Sequence, residues 1–411
     1  MKRLLAISGV VLACGPKQGS PLRTHPPVEA SAQASSESEG AGSVIHLEPL
    51  RIDVSPGPGG EARVYDARTL LEEGNESLVQ GQYDVALQQY DRLVRDFPGS
   101  SLIPAALYNA GLASEGKGDF TTAAERYRNA IERIPPGSRD SLDAHYRLGA
   151  VLAELRQFAD SSRIFESVLD HENLSVQDRM EALARLGYAL VELGDFSGAE
   201  EVLRGGIKFR RDLRPDEALD SPYFVAMCQY YLGDIPRRQF EAIPLRLPAQ
   251  QLDLDIEQKS ELFLLARDRY MKTVEYGDPN WGTAAVFQIG TMYREFWNDF
   301  MAVPVPPDLT GQEVDAYVKL VNENQELRRL LEKSILYHER NIAMSKRARV
   351  DSPWTEASLV AVEEVLRIVA GQQKGEYIRP GTPTQRRETN AGAGTGPATR
   401  PDDYIPARLN L

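Results

Sequence analysis

Cysteine is almost missing from this chain of 411 residues, which holds only Cys14 and Cys228. Cys228 lies in the apolar stretch YFVAMCQYYLG, where a lone cysteine is typical of core packing and a reactive thiol is not expected. Positive charge is also scarce, because 47 Lys and Arg face 60 Asp and Glu for a net charge of −13. Nucleic acids and anionic lipid surfaces are therefore poor partners for the chain.

Catalytic and metal-binding patterns are missing as well. The sequence has no zinc-ligand spacing, no G-x-S-x-G and no phosphate-binding G-x-x-x-x-G-K-[ST]. Its glycine-rich stretch GPGGEA (57–62) has no lysine and no strand pattern before it, so it is interpreted as a linker. We therefore predict no enzyme activity, no metal, no cofactor and no small-molecule substrate. The five histidines are scattered, at His25, His46, His145, His171 and His338.

The amino terminus has the pattern of a secretory signal. Lys2 and Arg3 precede an uncharged run that ends at Ala13 and is too short to span a bilayer. The end of the run, Val11-Leu12-Ala13-Cys14, resembles the lipobox of bacterial lipoproteins. That resemblance implies a signal peptide over 1–13 and a covalent lipid, including palmitate-type acyl chains, on Cys14 as a membrane anchor. A simple secretory signal with a chance cysteine is the alternative.

Two segments lack large apolar residues. Residues 14–62 are rich in Ser, Pro, Gly and Ala, which predicts a flexible tether from Cys14. Within the tether, VIHLEPLRIDV alternates apolar and polar residues and is either a short strand or simply extended. Residues 372–411 have the same composition as the tether, which predicts a disordered tail.

Between these ends the sequence repeats. Gly74, Gly111, Gly149 and Gly187 align with steps of 37, 38 and 38 residues. A period of this size indicates a solenoid of helical hairpins, with small residues where two helices cross and aromatics between hairpins. The aligned aromatic or large apolar positions are Tyr83, Phe120, Phe158 and Phe196, followed by Tyr90, Tyr127, Phe165 and Leu203.

The stretches GNESLVQGQYDVALQQYDRLVRDFP (74–98) and GLASEGKGDFTTAAERYRNAIERIP (111–135) resemble tetratricopeptide repeats. The resemblance implies an all-α fold, a right-handed α-solenoid of helical hairpins over 63–240, with about four regular repeats and a degenerate fifth. Residues 241–371 are expected to form a C-terminal helical block of longer helices with similar hairpins. The block is expected to include one helix of about 35 residues from Glu313, with Thr310 as N-cap. This block also resembles tetratricopeptide envelope proteins of myxobacteria, some of them from gliding-motility machinery.

In tetratricopeptide folds the first helix of each hairpin lines a concave groove. Carried over by that resemblance, two positions recur in this chain: Tyr108 matches Tyr146, and Glu154 matches Glu192. Tyrosines offer contact area, and glutamates accept Lys or Arg from an extended peptide. The alternative is that these are only solvated groove residues. The complete predicted partner-binding set is Asn75, Leu78, Tyr108, Glu115, Tyr146, Glu154, Tyr188 and Glu192.

A carboxylate clamp of the kind that binds chaperone tails is not expected. Asn75 and Arg147 fit its pattern, but Leu71, Leu112 and Asp143 occupy other clamp positions.

These features together predict a lipid-anchored scaffold in the periplasm. Gly15 stands where an Asp would resemble an inner-membrane retention signal, which favours an outer-membrane lipoprotein facing the periplasm. Its partners would be envelope proteins or extended peptide segments of a barrel-assembly, pilus, secretion or gliding-motility complex. A cell-wall accessory factor that binds peptidoglycan or regulates its enzymes is the alternative, and a cryptic enzyme using residues 260–369 is a third.

Overall fold

The computed structural model describes residues 49–54, 62–171, 174–214, 217–350 and 352–381. The predicted signal peptide, Cys14, most of the predicted tether and residues 382–411 lie outside the described residues. The described part divides into two compact units, the first ending at residue 199 and the second beginning at residue 200.

The first unit opens with a two-stranded antiparallel ribbon. Strand β1 (Arg51–Val54) pairs with β2 (Ala62–Tyr65), with Ile52 opposite Val64. Tyr65 anchors the ribbon, because its buried ring meets Phe97 edge-on at 5.9 Å between centroids. Residues 51–54, predicted as part of the tether, therefore belong to the folded unit, as the strand alternative for VIHLEPLRIDV allowed.

Antiparallel helical hairpins form the rest of the unit, and each hairpin packs on its neighbours in sequence. The predicted all-α architecture of helical hairpins is confirmed. Its helices are α1 (Ala67–Val79), α2 (Tyr83–Asp96), α3 (Ile103–Gly116), α4 (Phe120–Ile131), α5 (Arg139–Glu154), α6 (Phe158–Leu169) and α7 (Val176–Leu193), followed by the first residues of α8 (Phe196–Arg211), most of which belongs to the second unit.

Equivalent residues make the turn inside each hairpin. Gly81, Gly118 and Gly194 stand seven positions after the aligned glycines and adopt left-handed φ values of 71°, 76° and 81°. Glycine adopts this conformation without the steric cost that a Cβ atom brings. The third hairpin places Arg156 there, with φ of 60°. The turn geometry is thus conserved between hairpins even where the sequence departs from glycine.

The aligned glycines lie where the two helices of one hairpin cross. A Cβ atom on Gly111 would be 2.5 Å from the ring of Tyr127, and one on Gly149 would be 2.7 Å from the ring of Phe165. The sequence interpretation of the small residues is confirmed, but that of these aromatics is corrected. Tyr90, Tyr127 and Phe165 cover the glycine of their own hairpin, whereas Phe158 meets Tyr188 of the next hairpin at 5.8 Å.

We expect Gly111→Ala to destabilise the chain by about 1–3 kcal/mol, because the fully buried Tyr127 ring must move. Gly205→Ala in α8 is the control, since nothing lies within 4 Å of the added atom. In this control the higher helix propensity of alanine should stabilise the chain by about 0.5–1 kcal/mol. Urea denaturation followed by circular dichroism measures both changes. A rise in stability for both variants would contradict the packing argument.

After α8, the described part of the second unit contains six further helices, five of which have 20 or more residues. They are α9 (Tyr223–Ala242), α10 (Ala249–Glu275), α11 (Pro279–Ala302), α12 (Gln312–Glu323), α13 (Gln325–Ala348) and α14 (Pro353–Gln373). Helix α9 packs on α10, α10 on α11, α11 on α13, and α13 on α14. In the pairs α9–α10 and α11–α13, the helices α10 and α13 are the second members of their hairpins.

The predicted helix of about 35 residues is wrong, because it breaks at Asn324. The extended backbone of Asn324 (φ −62°, ψ 122°) ends α12, and its side chain then caps α13 by accepting a hydrogen bond from the Leu327 amide at 3.0 Å. The N-cap of α12 is Gly311, one residue after the predicted Thr310. The Glu313 half of the predicted capping box does form, as its carboxylate accepts from the Thr310 amide at 3.2 Å.

The tail boundary predicted at residue 372 is also wrong. Helix α14 continues to Gln373, and the chain that follows it packs on the unit. The Asn322 side chain accepts from the Ile378 amide at 3.0 Å and donates to the Ile378 carbonyl at 2.8 Å. The Gly381 amide donates to the Met301 carbonyl at 2.8 Å. Residues 372–381 therefore belong to the folded second unit.

Candidate functional site

Polar side chains link the first helices α1, α3, α5 and α7 across the interior of the first unit. At the α1–α3 step, the Asn75 side-chain oxygen accepts from the Asn109 amide and from the Tyr90 hydroxyl, each at 2.8 Å. Asn109 is fully buried. A buried amide with satisfied hydrogen bonds fixes the register between neighbouring helices more strictly than apolar packing does.

A buried ion pair makes the α3–α5 step. A guanidinium nitrogen of Arg147 lies 3.4 Å from a Glu115 carboxylate oxygen, and the Tyr127 hydroxyl donates to the other oxygen. Burial raises the pKa of Glu115, while the Arg147 charge and the Tyr127 hydrogen bond oppose that shift. Arg147 also lies beside the Tyr108 hydroxyl, so its guanidinium connects two of the predicted site residues.

The α5–α7 step uses Asp178 in the first turn of α7. Arg139 donates to its carboxylate at 2.7 Å, Ser175 donates to the same oxygen at 2.6 Å, and the Tyr146 hydroxyl donates to its backbone carbonyl. Further along α7, Arg185 donates to Glu181 at 2.7 Å with both side chains buried. We call these groups the polar ladder: Asn75, Asn109, Glu115, Arg147, Tyr146, Arg139, Asp178, Glu181 and Arg185.

Sequence reasoning missed most of this ladder, although the sequence carries a signal for it. Asn109, Arg147 and Arg185 stand two positions before the aligned glycines of α3, α5 and α7, so they occupy equivalent positions on successive helices. A polar group that recurs at one register position beside a glycine crossing indicates a buried inter-repeat contact. The ladder holds neighbouring hairpins in place and leaves little of itself for a partner.

The eight predicted binding residues separate by burial. Tyr108 and Tyr146 are only 2% and 5% exposed, and the Glu115 side chain is 7% exposed. The contact area expected from the two tyrosines is therefore not available at the surface, because their rings pack on Tyr127 and Phe165. The remaining five are half-buried or exposed: Asn75, Leu78, Glu154, Tyr188 and Glu192.

Four of these residues lie near the carboxyl ends of the first helices: Glu154, which is exposed, and Leu78, Tyr188 and Glu192, which are half-buried. Glu154 and Glu192 stand five positions after their aligned glycines, as does Val79, which is 73% exposed. Leu78 precedes Val79, and Tyr188 lies one turn before Glu192. We call these five residues the first-helix row. It combines an apolar end on α1 with two carboxylates on α5 and α7, which is suited to binding an extended segment that carries apolar and basic side chains.

Chemistry of other kinds has little support in the part of the chain that the structure describes. No group of three or more His, Cys, Asp or Glu side chains in it is arranged to hold a metal ion. None of the described helices combines the length and apolar character that crossing a membrane requires. Burial raises the pKa of the Cys228 thiol and keeps it protonated, as expected for a core residue.

Comparison with known proteins agrees with the repeat architecture. The family model of the tetratricopeptide repeat matches residues 71–139 and 146–218. The E3 ubiquitin-protein ligase CHIP of Arabidopsis thaliana is 27% identical over 104 residues, which make up 25% of this chain and 35% of that protein. The chain thus spans about a third of the length of this curated relative.

Two solved structures match this chain at low identity and low TM-score. MamA residues 41 to the end from Desulfovibrio magneticus RS-1 is 18% identical, with 49% of this chain and 96% of that chain covered and a TM-score of 0.34. A tetratricopeptide repeat protein from Parabacteroides merdae is 13% identical, with 73% and 98% covered and a TM-score of 0.37. Scores this low bear on no detail of the site. Tetratricopeptide repeats generally act as non-catalytic scaffolds that bind peptides or partner proteins, and this chain contains such repeats.

Proposed function

We propose that this chain is a lipid-anchored scaffold of the bacterial envelope that binds partner proteins through the first-helix row. The observation that carries the proposal is the run of tetratricopeptide hairpins whose first helices present side chains at equivalent positions. Scaffolds of this kind act by holding partners in place, so no reacting group is needed. The anchor is supported by the pattern Val11-Leu12-Ala13-Cys14. An anchored chain would lie at the periplasmic face of the outer membrane, and this position favours envelope proteins as partners.

The charge of the row defines the partner. Glu154 and Glu192 lie on neighbouring first helices of a chain with net charge −13, so the complementary segment is basic. Leu78 and Val79 supply apolar surface at the other end of the row. The favoured ligand is an extended stretch of an envelope protein in which an apolar residue is followed by Lys or Arg. Carboxylates near a protein surface contribute more to association rate and selectivity than to affinity.

We expect Glu154→Gln/Glu192→Gln to reduce recovery of crosslinked partners from membranes about tenfold at low salt, because both carboxylates of the row are lost. The control is Glu125→Gln/Glu166→Gln, which removes the same charge from exposed positions on the second helices α4 and α6. The control should retain the partners. Added salt should lower partner recovery by the parent chain towards the level of the row variant. Equal recovery with all three proteins would contradict docking at the row.

The same experiment tests the anchor when Cys14→Ser is included. The loss of the acyl chains should move the protein from the membrane fraction to the soluble fraction while partner binding in the soluble extract is kept. A Cys14→Ser protein that stays fully in the membrane fraction would contradict the lipid anchor without affecting the docking result.

A further inference from the structure

A cleft of about 580 Å³ lies in the second unit, between α10 and α13. Both helices pack on α11, whose Val286 lines the cleft together with Met271 of α10 and Tyr337 and Met344 of α13. Most of the lining comes from α10 and α13, the second helices of their hairpins, whereas the row is built from first helices only. We call it the Met–Arg cleft, since Arg340 and Arg347 of α13 complete its lining.

The apolar lining is accessible and adaptable. Met271 is 41% exposed, although it is one of the large hydrophobic side chains of α10. Methionine side chains are flexible and polarizable, which suits surfaces that bind apolar side chains of varied shape. Tyr337 gives the cleft one fixed wall, because its ring stacks on Tyr293 of α11 at 5.5 Å with an interplanar angle of 21°. A volume of this size is within the range of sites that hold a few ligand side chains.

The two arginines are the unusual part of the cleft. Among the described residues, no carboxylate lies within ion-pair distance of Arg340 or Arg347, and Arg340 rests only over the Tyr337 ring at 5.5 Å. Earlier on the same helix, Arg328 and Arg329 each have a glutamate partner, at 3.5 Å and 2.7 Å. A cation in the last turn of a helix interacts favourably with the helix dipole, which explains Arg347. It does not explain Arg340, two turns earlier.

We propose that the Met–Arg cleft binds a short extended peptide in which aliphatic side chains are flanked by two carboxylates. The aliphatic groups fill the methionine-lined floor, and each guanidinium pairs with one carboxylate in the two-pronged geometry that arginine favours. Arg340 and Arg347 are two helical turns apart, about 10 Å along the axis. In polyproline II conformation, residues three apart lie on the same side about 9 Å from each other, so carboxylates at positions i and i+3 fit.

This site goes beyond the proposed function, because it selects the opposite charge from the first-helix row. The row presents glutamates and takes a basic segment, whereas the cleft presents arginines and takes an acidic one. One chain can then hold two partners, or two segments of one partner, without competition between them.

The test uses the purified full chain and a fluorescein-labelled peptide, Gly-Ser-Glu-Leu-Leu-Glu-Ser-Gly, followed by fluorescence anisotropy. We expect saturable binding that weakens at least tenfold when both peptide glutamates are Gln. The same loss is expected for Arg340→Gln/Arg347→Gln, and also for Met271→Glu, which places a repelling charge at the exposed edge of the floor. Arg328→Gln/Arg329→Gln is the matched control on the same helix and should change the dissociation constant less than twofold.

The outcomes separate this site from the row. Glu154→Gln/Glu192→Gln should bind the acidic peptide as the parent chain does, whether or not the row docks a partner. Thermal unfolding of each variant shows that the helices remain folded. Absence of binding at 1 mM chain, equal binding of the Gln peptide, or equal binding by the arginine variant would overturn the proposal. Binding of decanoate in place of the peptide would overturn it too, because the cleft would then select a fatty acid.

Discussion

Lys259→Met is expected to lower the free energy of unfolding of the second unit by about 3–5 kcal/mol. The Lys259 ammonium is fully buried, 2.8 Å from a carboxylate oxygen of Asp299, which is 1% exposed. It also donates to the Ile243 carbonyl at 2.9 Å and to the Phe240 carbonyl, and it lies 3.9 Å from the centre of the Phe240 ring. Replacing it with an apolar side chain leaves a buried carboxylate without its counter-ion and two carbonyls without a donor.

The double variant Lys259→Met/Asp299→Leu separates the cost of an orphaned charge from the value of the pair. A buried ion pair replaced by apolar residues of similar volume is often neutral, so we expect most of the lost stability to return. Tryptophan fluorescence during urea unfolding measures it, because Trp281, Trp297 and Trp354, the three tryptophans of the chain, all lie in the second unit. A double variant as unstable as Lys259→Met would show that the contacts to the carbonyls matter more than the charge.

The second unit is also expected to lose about 3 kcal/mol of stability between pH 6.5 and pH 4 through His338 alone. His338 is fully buried among α11, α13 and α14, with its ring 5.2 Å from that of Phe287 and Nδ1 3.3 Å from the Ser358 hydroxyl. Burial, with a smaller contribution from the nearby Arg294 charge, lowers the pKa of His338 to about 4. That arginine pairs with Glu364 of α14.

The direction of the effect follows from which state binds the proton. In the unfolded chain this imidazole has a pKa near 6.5, so in this window the unfolded chain takes up a proton that the folded chain excludes. Stability therefore falls as the pH is lowered and stops changing through this group below about pH 4. The buried Asp234, whose pKa is lowered, affects stability in a different pH range. Its contribution to the stability of the folded state is lost only as the pH falls below the pKa of an ordinary Asp.

Urea unfolding at several pH values between 7 and 4, followed by tryptophan fluorescence, measures this loss. In His338→Gln the loss of unfolding free energy between pH 6.5 and pH 4 should be smaller than in the parent chain by about 3 kcal/mol, whatever the stability of the variant at pH 7. His145→Gln in the first unit is the control, because tryptophan fluorescence does not report on that unit. A pH profile of His338→Gln parallel to that of the parent chain would show that the imidazole titrates as freely when folded as when unfolded.

The repeat architecture could be predicted because it depends on spacing that the sequence displays directly. The close crossing of α3 and α4 requires a glycine at Gly111 and fits a large ring at Tyr127. The spacing of these residue types in the sequence therefore predicts the contact directly. The break at Asn324 could not be predicted from periodicity, because the apolar pattern of α12 continues into α13. The extended backbone of Asn324 and a local hydrogen bond from Leu327 mark the end of one helix and the start of the next.

The candidate site was predicted less well, for a different reason. Family resemblance gives the direction of a side chain but not its depth, and Tyr108 and Tyr146 lie deeper than their position suggests. An amphipathic pattern assigns polar residues such as Asn109 to the surface. The buried hydrogen-bond partner of Asn109 is more than 30 residues away in the chain, so the local pattern does not reveal it. The Met–Arg cleft combines residues from three helices, so the sequence held no pattern for it.

The packing of each hairpin of the first unit on its neighbours in sequence has a consequence for how the chain is made. Aligned glycines are 37 or 38 residues apart, so no step in building this unit requires closing a loop much longer than one hairpin. Each hairpin then adds only a small and similar entropy cost of loop closure, and nucleation can begin at any hairpin. A chain that is delivered unfolded and amino end first can therefore gain structure hairpin by hairpin as it emerges, without waiting for its carboxyl end.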